Sequence, residues 1–215
     1  MPRITVLAGT NGAGKSSIAG AMLREEGGEY FNPDEQTRAI LEAHPGMEQG
    51  EANALAWQES VRRLEDAIAT RKDYVFETTL GGSTVTGLLL EAADAGFEVN
   101  LWYCGLDSPE RHLERIRSRV GAGGHDIPEE KVRQRYNASR QNLARLIPRL
   151  HTLLAYDNSV DADPKTGHVP APWLVLALHE GAVSFPRTAD DIARTPAWAQ
   201  PLVARAYQRV AQRKE

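Results

Sequence analysis

The chain has 215 residues, enough for one well-buried domain or one domain with an appendage, and its apolar (41%) and charged (25%) fractions are those of an ordinary globular protein. A formal net charge of -4 excludes a whole-chain basic field for nucleic acid. The single cysteine, Cys104, excludes an intrachain disulfide, and no apolar stretch approaches a membrane span.

The opening "MPRITVLAGT" holds a strand where a signal peptide would need a longer apolar segment and a cleavage site, so a cytoplasmic protein with no membrane partner is expected. Residues 4–8 read as a first strand, and a helix is expected from Lys15 to the stop at Gly27-Gly28. Tyr30-Phe31-Asn32 is a short run broken by Pro33; Asp34 to Ala43 can be helical until His44-Pro45-Gly46. Residues 51–72 predict a long amphipathic helix with Trp57, Val61, Leu64 and Ile68 on one face. Tyr74-Val75-Phe76 predicts a buried strand ending in Glu77-Thr78-Thr79, and Ser83 is placed to cap a helix over 84–95 that Gly96 closes. Residues 99–104 form the next strand, followed by a helix with Ser108 as cap and Pro109 at its first position, running to Val120.

Gly121-Ala122-Gly123-Gly124 is a hinge-like break before a second long helix, 129–147, opened by Pro128. Residues 153–156 are a last core strand ending in Asp157-Asn158-Ser159. Strands alternating with helices predict a parallel sheet with right-handed crossovers. Residues 160–172 read as a loop, 173–178 and 182–185 flank His179-Glu180-Gly181 as a β-hairpin, and a final helix covers about 198–213. The expected architecture is a three-layer α/β P-loop fold in one domain: a core over 1–160, an Arg-rich lid over about 111–140, and a C-terminal hairpin and helix over 173–215 as an appendage.

The segment Gly9-Thr10-Asn11-Gly12-Ala13-Gly14-Lys15-Ser16, followed by Ser17, matches G-x-x-x-x-G-K-[ST] at every fixed position, after a strand and before a helix. Glycines let backbone N–H groups turn inward around an anion, and the helix that follows points its positive end at the same place. Lys15 supplies a point charge to the β- and γ-phosphates, and Ser16 a hydroxyl to Mg²⁺. Such loops serve several activities. The guanine-reading N-K-x-D of GTPases is missing from the sequence, and "LGGST" at 80–84 is only a faint echo of the transporter signature. A kinase-like layout with an Arg-bearing lid remains.

A phosphotransferase to a hydroxyl needs a carboxylate near the γ-phosphate, and open α/β sheets present such groups at the carboxyl ends of strands. Asp34, with Glu35 beside it, and Glu77 meet that condition; the plainer alternatives are a helix N-terminal acid and a strand-end cap. Arginine is the other requirement, because charge develops on the transferred group. Residues 111–140 hold Arg111, Arg115, Arg117, Arg119, Arg133, Arg135 and Arg140, any one of which can also be a solvated helix-face charge; the glycine-rich break between the two helices favours a mobile lid. His125, just after the glycines, reads as a loop-ordering residue before a proton-transfer group.

"GTNGAGKSS", "FNPDE", "FETTLGG", "RIRSRVGAGGHDIPEEKVRQRY" and "YDNS", in that order over residues 4–160, resemble the zeta-toxin-like P-loop kinases, of the UDP-N-acetylglucosamine kinase type. The resemblance implies ATP and Mg²⁺ as cofactors and a small-molecule acceptor, a UDP-sugar hydroxyl in the family's named toxins. It implies Asp34 as the catalytic carboxylate, an acceptor contact through Glu77, Thr78 and Thr79, and lid arginines on the phosphates, assigned here to Arg119 and Arg135. It also implies an antitoxin as a protein partner, although no segment of this chain looks like one. The chain is shorter than the larger toxins, with little room for an elaborate sugar-nucleotide pocket. A kinase on another acceptor, such as a nucleoside or a nucleic-acid 5′ end, and a nucleotide-dependent ATPase or switch are the competing readings.

Trp57, Trp102, Trp173 and Trp198 are expected in the core or at interfaces, and Cys104 as a buried hydrophobe. The six histidines are scattered and show no zinc spacing. The basic end, Arg205 to Lys214, reads as a solvated helix face; nucleic acid is not expected as a partner.

Overall fold

The computed structural model describes residues 1–15, 30–121, 126–161 and 168–212. Its frame is a six-stranded sheet of β1 (Arg3–Ala8), β2 (Tyr74–Thr78), β3 (Glu98–Gly105), β4 (Thr152–Asp157), β5 (Trp173–His179) and β6 (Ala182–Phe185), in the order β2-β1-β3-β4-β5-β6. β1 lies parallel between β2 and β3, with Val6 opposite Phe76 on one side and Leu101 on the other. β4 continues the parallel set on β3. Ile4, Val6, Phe76, Leu101 and Leu153 share one face of the sheet and are buried, and Leu7 and Cys104 are buried on the other, as expected of parallel strands covered on both faces. Each such side chain contributes about 1.5–3 kcal/mol of transfer free energy.

The described helices are α1 (Pro33–Ala43), α2 (Gln49–Thr70), α3 (Ser83–Asp94), α4 (Pro109–Gly121), α5 (Glu129–Leu146), the short α6 (Ala189–Ala193) and α7 (Gln200–Gln212). Most expected elements appear within a residue or two of their predicted bounds, and α6 is an addition. The run at Tyr30-Phe31-Asn32 forms only an isolated bridge: Phe31 N–H donates to Val75 O (3.0 Å), and Phe31 O accepts from Glu77 N–H (2.9 Å). Pro33 ends it, because the ring has no N–H to extend a ladder. The helix expected to start at Lys15 lies, beyond that residue, outside the described residues.

Three expectations need correction. Ser83 is the first residue of α3 rather than its cap; Gly82 occupies the cap position and makes no side-chain bond. The C-terminal hairpin is not set apart from the sheet: β5 pairs antiparallel with β4, and β6 with β5. The Trp57 face of α2 is also displaced. Ala52, Ala56, Ser60, Leu64 and Ala67 form its buried seam, while Trp57 is 49% exposed. That seam is built mostly of small residues, and Trp57 lies outside it.

Candidate active site

The P-loop follows β1, and its shape is set by contacts that leave no room for side chains. At Gly9, with φ of 142°, an added Cβ would stand 2.2 Å from Cys104 O, a backbone atom that cannot yield. Gly12 and Gly14 also have positive φ, 82° and 87°. Gly9 N–H donates to Thr78 O (3.2 Å), fastening the loop to the end of β2, and Ala13 N–H donates to Thr10 O (3.1 Å). Thr10, Asn11 and Ala13 are buried.

Three side chains hold the loop's carbonyls. His112, 1% exposed on α4, meets Asn11 O through Nδ1 at 2.7 Å, so Nδ1 carries the proton. Burial, with Lys15 and Arg115 nearby, pushes its pKa down to about 4, so the ring is neutral near pH 7. Ala13 O accepts from Asn158 Nδ2 (2.8 Å) and from the Cys104 thiol (2.9 Å). Burial pushes that thiol up to about 12, so Cys104 is a donor here and not a nucleophile.

Lys15 is 7% exposed, and its Nζ lies 3.5 Å from Glu77 Oε1 on the neighbouring strand. The register that sets Leu7 opposite Glu77 brings the two together. Glu77 Oε2 also accepts from Asn32 Nδ2 at 3.5 Å, and Asn32 Oδ1 caps α1 by accepting from Asp34 N–H (2.9 Å) and Glu35 N–H (3.4 Å). One asparagine thus ties the position of Asp34 to that of the Lys15–Glu77 pair.

Beside the loop lies a cleft of about 270 Å³. Asn11, Asp34, Glu77, Thr78, Thr79 and Arg135 all line it, and Trp57, Asn53 and Ser60 of α2 form a further wall. The turn after Thr79 puts Leu80 at φ 53°, and Asn142 Nδ2 holds it by donating to Leu80 O (2.9 Å) and Gly82 O (3.1 Å). A buried leucine in this conformation is costly and is maintained by that clamp.

The arginines divide by partner. Arg111 and Arg115 bind Asp161, Arg117 faces Glu129, and Arg133 bridges Glu110 and Glu129. Arg140 stacks on Tyr136 with its Cζ 3.9 Å from the ring centroid. Arg119 and Arg135 have no carboxylate contact within salt-bridge distance among the described residues. Arg119 Nε and one Nη are shielded from solvent without a hydrogen-bond partner. Arg135 Nη1 donates to Asn11 Oδ1 at 2.9 Å; burial lowers its pKa, and the Asp34 charge opposes that effect. Gly81 makes room for the Arg135 stem, which an added Cβ would meet at 2.9 Å. Ser16, Ser17 and His125 lie outside the described residues, as do residues 122–124 of the expected hinge.

The sequence did not single out His112, Asn142 or Asn158 for the site. Asn158 lies in the "YDNS" segment but without a role there, nothing local marks His112 or Asn142, and each of the three acts across a long separation, up to 145 residues for Asn158 and Ala13.

Comparison with known proteins bears on the fold that carries this site. A family model described as an AAA domain matches residues 4–146. An uncharacterized protein of Haemophilus influenzae is 32% identical over 133 residues, covering 60% of this chain and 88% of that protein. The crystal structure of the AvrRxo1-ORF1:-ORF2 complex with ATP superposes with a TM-score of 0.64 at 19% identity, covering 92% of this chain and 64% of that one. This chain therefore spans less than two thirds of that neighbour. A structure from the PezAT chromosomal toxin-antitoxin system of Streptococcus pneumoniae gives 0.54 at 15% identity, covering all of this chain and 88% of the other. A putative kinase from Chloroflexus aurantiacus gives 0.51 at 17% identity over 62% of this chain and 76% of that one. The fold is that of the P-loop kinase-like α/β proteins. Among the described residues, no helix is long and apolar enough to cross a membrane.

Proposed function

The chain belongs to the AAA-domain family, and on that footing we propose that it is an ATP-dependent kinase of the zeta-toxin type, acting on a hydroxyl of a small molecule such as a UDP-N-acetylglucosamine-like nucleotide sugar. The observation that carries this reading is Arg135. It lines the cleft with Asp34 and bonds Asn11 of the P-loop, so one guanidinium joins the two halves a phosphotransferase needs.

The loop residues fit a nucleotide triphosphate. Gly9 admits no side chain, Lys15 is buried beside the loop, and Arg119 has shielded donors in want of an acceptor. In this reading Lys15 and the amides of residues 9–15 hold the phosphates, and Ser16 and Ser17 complete the loop, Ser16 as the Mg²⁺ ligand. Bound ATP supplies the γ-phosphoryl group. Asp34 orients the acceptor hydroxyl and takes its proton at the carboxylate; Glu77 to Thr79 line the acceptor side, with Glu77 also setting Lys15. Arg119 and Arg135 neutralise the charge that develops on the transferred group. Residues 111–140 are proposed to close as a lid over one domain, and an antitoxin-like protein partner is proposed because structural neighbours come from a toxin-antitoxin system and from a two-protein complex. A cytoplasmic location goes with this assignment.

The test is an ADP-release screen over UDP-sugars, nucleosides and oligonucleotides, run on wild type and Asp34→Asn. The expected result is acceptor-dependent turnover with a UDP-sugar, reduced at least 100-fold, on the order of what general-base loss costs, in Asp34→Asn with ATP affinity retained. Steady hydrolysis indifferent to every acceptor would overturn the kinase assignment.

A further inference from the structure

We propose that His151, His179 and Glu180 form a binding site for a zinc-type transition-metal dication at the end of the sheet remote from the P-loop. The inference stands apart from the kinase reading, since the P-loop follows the carboxyl end of β1, whereas His151 immediately precedes β4.

The backbone brings the three residues together. β4 and β5 pair with Thr152 opposite His179, the last residue of β5, and Glu180 N–H donates to His151 O at 2.8 Å. One ligand atom from each residue lies within 4.8 Å of the other two. The rings of His151 and His179 meet edge to face, with centroids 5.3 Å apart.

Two further observations point to a ligand. His179 Nδ1 lies 3.1 Å from Thr152 Oγ1. With Nδ1–H donating to that hydroxyl, Nε2 keeps its lone pair, and Nε2 is the atom 4.0 Å from Glu180 Oε1. Metal-bound histidines are commonly held this way, the second nitrogen fixed by a hydrogen bond that sets tautomer and ring orientation. The other observation is the turn. Glu180 and Gly181 both have left-handed φ, 47° and 85°, the conformation of a tight hairpin turn in which Asn-Gly or Asp-Gly is the usual pair. A glutamate there is strained, and its carboxylate is kept beside the imidazoles.

Two imidazoles and one carboxylate are a borderline donor set that suits Zn²⁺ and its neighbours and disfavours Mg²⁺ and Ca²⁺, which take oxygen ligands. Tetrahedral zinc sets its ligands roughly 3.4 Å apart, from bonds of about 2.0–2.1 Å, so the side chains need to close by about an ångström. The exposure of His179 and Glu180 allows this and leaves a fourth position to water. A bound ion would pin the β5–β6 turn to the start of β4.

The test uses the untagged full chain after chelator treatment, titrated calorimetrically with ZnCl₂ and separately with MgCl₂. The expected result is one Zn²⁺ per chain with a rise in Tm, no response to Mg²⁺, and affinity at least tenfold weaker in His179→Ala and in His151→Ala. Thr152→Val should weaken binding by a smaller factor, because it frees the tautomer without removing a ligand. If His151→Ala fails to fold, His179→Ala and Glu180→Gln, both at exposed positions, carry the test. Absence of stoichiometric Zn²⁺ binding, or binding that persists unchanged in the His179→Ala, Glu180→Gln double variant, would overturn the proposal.

Discussion

Acidification should weaken this fold earlier than its carboxylates alone require, and His112 is the reason. Its imidazole is 1% exposed, and its Nδ1 proton serves Asn11 O at the base of the P-loop. Its pKa in the folded chain is about 4, against 6.5 for the ordinary side chain. The folded pKa is depressed, so the stabilising contribution is present above 6.5 and is lost as pH falls towards 4. Over that window the unfolded chain takes up a proton that the folded chain refuses. Each pH unit removes about 1.4 kcal/mol, and the full descent about 3 kcal/mol. The paired acids act lower: Glu59, held to about 2 by Arg62 and Arg63, stabilises above 4.5 and loses that effect below it. Urea unfolding at half-unit steps between pH 7 and 5 should therefore show a falling midpoint in wild type. His112→Gln should start lower, having lost a fitted ring, but its midpoint should be nearly flat over the same range. A wild-type midpoint that does not move between pH 6.5 and 5, or a variant that falls in parallel with it, would refute the argument.

Further perturbations test the loop's supports. Asn158→Ala removes one of two donors to Ala13 O; a loss of about 0.5–1.5 kcal/mol should appear as an ATP Kd raised several-fold in calorimetry, with modest change in Tm. Lys15→Ala should abolish nucleotide binding and also destabilise by about 3 kcal/mol, because it removes the cation facing a buried carboxylate; adding Glu77→Gln should restore part of the unfolding free energy without restoring binding. Gly9→Ala should lower Tm by several degrees or prevent folding, since its Cβ would stand 2.2 Å from a backbone oxygen, and an unchanged melt would contradict the loop geometry.

What the sequence made legible follows from how far each signal reaches. The P-loop is contiguous, so all of its fixed residue types stand together in the sequence. Asp34 and Glu77 could be picked out because strand ends in an open sheet face one edge, and both line one cleft with Asn11 and Arg135. The ion pairing that sorts the arginines was not legible. Arg111 and Arg115 look like Arg119 in the sequence, and Asp161, which engages the first two, lies beyond another helix and strand. Arg209 lies in a basic run that predicts a solvated face, yet it is 9% exposed and donates to Ile147 O and Leu150 O, where the chain leaves α5 for β4. Hydrophobicity alone places Trp57 in an apolar stripe, because it does not tell a packed seam from a wall; the buried seam is mostly small residues, and Trp57 lines the cleft. His151, His179 and Glu180 come together only through the β4–β5 register, so spacing along the chain could not reveal them.

The sequence predicts the C-terminal segment to be an appendage, yet it reaches the P-loop through two links. The Trp198 indole lies against the end of β3, where a Cβ on Gly105 would meet it at 2.5 Å, so only glycine admits the ring at that depth. Its Nε1 donates to Asp157 Oδ2 at 3.0 Å, at the end of β4. Asp157 Oδ1 accepts from Ser159 N–H (2.7 Å), fixing a turn whose middle residue, Asn158, donates its amide to Ala13 O. Asn158 N–H in turn bonds Gly105 O at 3.0 Å, which closes the circuit back to the strand the indole covers. A shift of Trp198 therefore moves the partner of a P-loop carbonyl. This chain of contacts ties Trp198, just before α7, to the ends of β3 and β4 and, through Asn158, to the P-loop.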